Sequence, residues 1–193
     1  MRLKTRITFR YFIFILMILA ACECSAGEKK DSKNCSTNPD KVAYIKGNRG
    51  WLDNGVARVG VDKEYGGAIV YASPSKSKVN MVNIHDKGRQ IQQSYYAGNG
   101  LDRTDDGQSK NWSPWAWNPV QAGNFDRDKS VVLNFKVIRN GEGLYTKCQP
   151  RLWDMNEELA KCYFHQWMKF EEGMDNVIRV RNMIECFRDE GDT

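Results

Sequence analysis

The residues best equipped for chemistry are concentrated between Asn83 and Gly123, NIHDKGRQIQQSYYAGNGLDRTDDGQSKNWSPWAWNPVQAG. That stretch carries His85, Arg89, Gln93, Tyr95 and Tyr96, then Trp112, Trp115 and Trp117, then Asn118 and Gln121. A strand-and-turn scaffold does not need so many large amphipathic side chains between turn residues. A site for a flat, hydroxyl-rich ligand does. Aromatic faces cover the apolar sides of sugar rings, while amide, guanidinium and imidazole groups meet hydroxyls and carboxylates. The stretch therefore points to a polysaccharide or oligosaccharide as partner.

Each residue has a functional and a structural reading. His85 is an acid or base near neutral pH, or a hydrogen-bonded turn residue beside Asp86. Arg89 offers a fork suited to a uronic acid carboxylate, with Asn83 beside it, or it pairs with Asp86 or Asp102. Tyr95 and Tyr96 are adjacent, so on a strand they face opposite ways and only one belongs to a site. Either phenol is a candidate proton donor to a leaving oxygen, but a tyrosine acts as a base only if its pKa is lowered. Trp112, Trp115 and Trp117 form a stacking platform or plug a core under a long loop. Asn118 and Gln121 bond sugar hydroxyls or satisfy loop backbone around Pro119. His165, mid-strand among aromatics, is read as structural.

Several chemistries have no carrier in this sequence. Gly-x-Ser-x-Gly, phosphate-binding and His-Glu-x-x-His patterns are missing. So is a CxxC pair, and Asp102, Asp105 and Asp106 lack the spacing and terminal Glu of a calcium loop. No cofactor and no metal is expected. Asp86, Asp126, Asp154 and Glu157 are available for a glycosidase pair, but chain spacing does not give the separation that chemistry needs. The net charge of +5 rests partly on Arg2, Lys4, Arg6 and Arg10. There is no basic tract with interleaved aromatics of the kind nucleic-acid binders show, so no nucleic-acid partner is expected.

The elements that must position the stretch are strands. Apolar alternation and turn signals mark Val42–Ile45, Val56–Val61, Tyr65–Tyr71 (a turn feeding a strand), Val79–Ile84, Ser130–Ile138, Leu144–Cys148, Ala160–Phe170 and Val177–Phe187. Gly47–Gly50 and Asn140–Gly143 read as turns, and Met155–Leu159 as a helical turn. Cys162, Phe164, Gln166, Met168 and Phe170 fall on one face of their strand, opposite Tyr163, His165, Trp167 and Lys169. Short strands at regular spacing imply an all-β fold, an antiparallel β-sandwich over residues 41–193. The last strand reaches Phe187 close to the end of the chain, which suits either a short edge strand or a sandwich that is incomplete at its C-terminus.

Ahead of the sandwich, a basic start and the apolar run Tyr11–Ala21 make residues 1–21 a signal peptide, too short to span a membrane comfortably. Leu19-Ala20-Ala21-Cys22 resembles the lipobox of bacterial lipoproteins, which implies lipidation at Cys22 and an exported protein anchored by lipid to the bacterial cell envelope; an ordinary secretory signal cleaved after Ala26 is the alternative. Residues 22–40 are polar and read as a tether. Cys148, Cys162 and Cys186 lie in the body; the strand pattern allows Cys148 and Cys162 to sit on neighbouring strands, and the sequence does not give the connectivity.

Gly66, Gly67, Asn83, Asp86, Gly88 and Arg89, followed by Gln92, Ser94, Tyr95 and Tyr96, resemble the opening of galactose-mutarotase-like β-supersandwich domains. The later run Trp117–Gly123 resembles a segment of secreted proteins of this sort from polysaccharide-degrading bacteria. The likeness spans roughly Tyr65 to Trp153. It implies the first part of a supersandwich and a polysaccharide-active protein, either a lyase or hydrolase on acidic glycans or a non-catalytic binding or assembly module. A shortened, inactive product is the third possibility. A fold alone does not select among these.

Overall fold

The computed structural model describes residues 42–97, 102–108, 110–111, 117–155 and 157–187, together with the backbone of Ile13–Met17. The fold is all-β and antiparallel, two sheets packed face to face. The smaller sheet is a meander of β2 (Ala43–Lys46), β3 (Arg49–Asp53), β4 (Ala57–Asp62) and β5 (Ala68–Pro74), in that order. The larger runs β1 (Ile13–Met17), β11 (Met174–Cys186), β10 (Cys162–Glu171), β8 (Gly143–Gln149) and β7 (Val131–Ile138). β6 (Pro119–Val120) pairs with β9 (Arg151–Leu152) as a two-stranded ribbon.

The strand β1 comes from the apolar run assigned to the signal peptide, and it lies along Val177–Arg181 of β11. Cys22 and the tether lie outside the described residues. In the uncleaved chain β11 lies between β1 and β10; removal of residues 1–21 would take β1 away and leave β11 as the edge of the sheet.

The first core forms where the two sheets face each other. Leu52, Val59, Val61 and Ile69 from the small sheet meet Leu144, Met168, Ile178 and Val180 from the large one. The alternation along β10 falls as the sequence indicates: Cys162, Phe164, Gln166 and Met168 are buried and Phe170 partly so. Beyond the small sheet, a second core continues along the same inner face. Cys148, Cys162, Phe164 and Ile184 are covered there by Leu152, Met155 and Ala160, with Tyr95 and Trp117 packed alongside. The segment after β5 is thus the lid of the second core.

Three elements differ from the sequence reading, each for a local reason. Arg49 and Gly50 open β3 instead of completing a turn, because Gly47 and Asn48 alone make the hairpin. Gly50 serves close packing: a Cβ there would stand 3.0 Å from Phe135 of the facing sheet. Residues 79–84 form no strand. The Asn80 side chain does a strand's work on β5, accepting from the Ala72 and Val82 N–H groups (3.1 and 3.0 Å) and donating to the Val70 carbonyl (2.8 Å). Among the described residues of the stretch read as a helical turn none is helical: Met155 bridges to Gln108 and Leu159 to Arg151.

Cys148 and Cys162 do lie on neighbouring strands, but Cys162 sits directly opposite Cys186, and those two thiols share a hydrogen bond. Burial pushes the Cys148 thiol up to about 12, so it is inert as a nucleophile.

The face assignment on β10 is testable. Phe164→Ala removes a fully buried ring and should cost about 3–5 kcal/mol in urea denaturation. Lys169→Ala, on the opposite face, should stay within about 0.5 kcal/mol.

Candidate functional site

The site is built on a tight turn at residues 83–89. The Asn83 side chain accepts from the His85 N–H (2.9 Å) and that of Asp86 from the Gly88 N–H (2.8 Å), two consecutive side-chain-to-backbone turns. Asp86 also accepts from Arg89 Nε at 2.7 Å. Burial alone would raise the Asp86 carboxyl, but the hydrogen bonds from Arg89 and Gly88 outweigh it and hold the group below the usual carboxylate range. Of the two acidic partners foreseen for Arg89, the structure selects Asp86. That pairing uses Nε only. No described residue engages Nη1 or Nη2, and the side chain is 56% exposed. Lys87 ties the turn down: it donates to the Glu64 carbonyl and stands 4.1 Å from the Tyr65 ring centroid.

A chain of buried amides holds the next segment. Gln93 and Gln121 are 3% and 1% exposed. The Gln121 amide donates to the Gly66 carbonyl (3.2 Å), and its oxygen accepts from the Gln93 N–H (3.0 Å). The Gln93 amide then reaches the His165 carbonyl at 3.1 Å. Gly66 must be glycine, since its φ is +59° and a Cβ would fall 1.8 Å from the Gln121 carbonyl oxygen. These contacts correct the expectation that Gln93 and Gln121 bind a ligand directly; both are structural ties. Asn118 is 1% exposed and so is also closed off from a ligand; its main-chain carbonyl accepts from the Trp153 N–H at 2.7 Å.

The adjacent tyrosines divide as alternation requires. Tyr95 turns inward and meets Phe164 edge-on, ring centroids 5.3 Å apart, with its hydroxyl donating to Gln93 Oε1 at 3.3 Å. Burial raises its pKa, the opposite of what a base needs. Tyr95 is therefore withdrawn from the catalytic set on geometry. Trp117 is half-buried against the same core and plugs it. Trp112 and Trp115 lie outside the described residues.

Tyr96 turns outward and is 61% exposed. It lines an open cleft of about 440 Å³ with Asp86, Gly88, Arg89, Ser94 and Trp153. Gly88 is the floor under the indole: a Cβ there would stand 2.9 Å from Trp153 Cη2. His85 and Asn83 are exposed on the same turn but do not line the cleft. The cleft therefore joins a guanidinium with free terminal nitrogens to a phenol and an indole. Trp153 was missed in the sequence, where nothing in RLWDMN distinguishes it from a packing residue.

His165 is held in a closed chain. Its Nδ1 meets the Tyr145 hydroxyl at 2.8 Å and its Nε2 meets Glu185 at 3.1 Å. A carboxylate only accepts, so Nε2 carries the hydrogen and, in the neutral ring, Nδ1 accepts from Tyr145. The ring is 6% exposed with both nitrogens engaged, as a structural histidine should be. Among the described residues, no cluster of three or more His, Cys, Asp or Glu is arranged to hold a metal.

Gln121→Ala should cost about 2–4 kcal/mol, because it strands both the Gly66 carbonyl and the Gln93 N–H in the interior; equilibrium unfolding in urea measures it. Glu185 gives a pH signature. Burial would raise its carboxyl, but the hydrogen bond with His165 and the Lys147 charge hold it low. A depressed folded value stabilises the protein above the unfolded pKa, and that share is lost as pH falls through the folded one. Melting temperature should therefore drop below about pH 4, with a shallower drop in Glu185→Gln. Comparison with family models, with curated proteins and with solved structures returns no match for this chain.

Proposed function

We propose that the cleft beside Arg89 binds an acidic carbohydrate, and that the protein presents it from the bacterial envelope, anchored by lipid at Cys22. The observation that carries this reading is the exposed Arg89 fork, steadied through Nε by Asp86 and flanked by Tyr96 and Trp153. A guanidinium held at one nitrogen keeps its terminal pair for a carboxylate, and bidentate pairing gives both strength and direction. The two aromatic side chains supply apolar faces for the ring that bears the carboxylate. The cleft is open and shallow, which suits one or two units of a chain rather than an engulfed small molecule.

Binding is favoured over catalysis by the state of the proton-moving groups. Tyr95 is packed inside, Asp86 is committed to Gly88 and Arg89, and His85 stands off the cleft. Tyr96 is the one phenol that a ligand in the cleft would meet.

The test is calorimetric titration with short oligogalacturonides, alongside the absorbance of new carbon–carbon double bonds. Arg89→Ala should weaken binding at least tenfold, about 1.4 kcal/mol, with Arg89→Lys in between and Tyr96→Ala also weaker than the parent. Oligouronides bound equally well by Arg89→Ala would overturn the proposal. Double bonds formed at a rate that Tyr96→Phe abolishes would overturn the preference for binding alone.

A further inference from the structure

The outer face of the five-stranded sheet carries cations in register. In antiparallel pairing, directly opposed residues stand side by side on one face, with strands about 4.8 Å apart. One row runs Lys136, Tyr145, Trp167, Arg181 across β7, β8, β10 and β11. The next runs Ile138, Gly143, Lys169, Arg179. Gly143 leaves a gap in that second row. A groove of about 460 Å³ opens beside it, lined by Ile138, Arg139, Trp167, Lys169, Arg179 and Arg181.

Charge on this face is unbalanced. Glu171 pairs with Arg179, and Glu185 pairs with Lys147 and His165. No described carboxylate pairs with Lys136, Arg139, Lys169 or Arg181. Three positive charges, Lys136, Arg181 and Lys169, thus stand along two adjacent rows with no described acidic partner, and Arg139 adds a fourth just past the end of β7, which is costly unless solvent or an anion attends them.

The aromatic rings here hold cations rather than offer bare faces. Lys136 Nζ lies 5.5 Å from the Tyr145 centroid, Arg181 Cζ 5.2 Å from Trp167, and Lys147 Nζ 4.1 Å from Tyr163. His165 stacks on Trp167 at 5.7 Å with an interplanar angle of 11°. Single-stranded nucleic acid is held by bases stacking on free aromatic faces, and these faces are taken. A partner recognised by its charges alone fits better. We propose that this face is a second binding site, for a linear anionic polysaccharide of the polyuronate class, whose carboxylates are met by Lys136, Lys169, Arg139 and Arg181. The site does not depend on the Arg89 cleft. It is assembled from four strands, so no run of basic residues betrays it in the chain.

The experiment is fluorescence anisotropy with labelled polygalacturonate, its fully methyl-esterified form and oligo(dT), each at low and at physiological salt. The triple variant Lys136→Gln/Lys169→Gln/Arg181→Gln changes only outward side chains, and circular dichroism verifies its fold. The parent should bind polygalacturonate in a salt-sensitive manner and should not bind the ester. The triple variant should lose at least tenfold, while Arg89→Ala should retain the salt-sensitive binding of the long polymer. Equal binding by parent and triple variant overturns the proposal, whether or not Arg89→Ala abolishes capture of short oligouronides. Tighter binding of oligo(dT) than of polygalacturonate, lost in the triple variant, also overturns it and assigns the face to nucleic acid.

Discussion

The structure depends on a line of buried amides. Gly66, Gln121, Gln93 and the His165 carbonyl are joined in sequence by three hydrogen bonds, of 3.2, 3.0 and 3.1 Å. Each end belongs to a different part of the fold: the turn into β5, the strand β10, and between them the long crossing segment. Polar groups in such a place are tolerable only when satisfied, and a half-made network is worse than an apolar one. The consequence is an all-or-none lid. If Gln121 lets go, Gly66 and Gln93 lose partners together, and the segment that carries Asp86, Arg89 and Tyr96 loses its seat.

This arrangement also explains the composition that first draws attention to residues 83–123. The run needs large amphipathic side chains for two purposes at once. Tyr95, Trp117, Gln93 and Gln121 close the second core, while Arg89 and Tyr96 face solvent. A segment that is both plug and surface must alternate the two roles over very short distances. Tyr95 and Tyr96 show this most plainly, one edge-on to Phe164 and the other 61% exposed.

The fold was largely legible because period-two alternation is a strong signal. The two faces of β10 follow it residue by residue. Legibility fails where a side chain replaces backbone. Asn80 occupies the rim of β5 with its amide, and no propensity rule distinguishes that from a strand. It fails again at Gly50, where a glycine among turn residues marks close approach of two sheets. In the site, the turn at Asp86 was legible, whereas the choice between Asp86 and Asp102 as the partner of Arg89 came only from the fold. The burial of Gln93, Asn118 and Gln121 was not, because an amide's type says nothing about which of its partners the fold supplies. Trp153 joins the cleft through Gly88, a contact between residues far apart in the chain.

The amide of Asn80 has one more effect. The rim of a sheet is a template that any passing chain can extend, and natural β proteins blunt it. Here the last strand of the meander is met along part of its length by a side chain that consumes the Ala72 N–H and the Val70 carbonyl. An incoming strand finds those positions already spoken for. On that side, stacking of one molecule upon another into a growing fibril is opposed by the Asn80 carboxamide together with the backbone of Met81 and Ile91, which take the Ala72 carbonyl and both polar groups of Ile69.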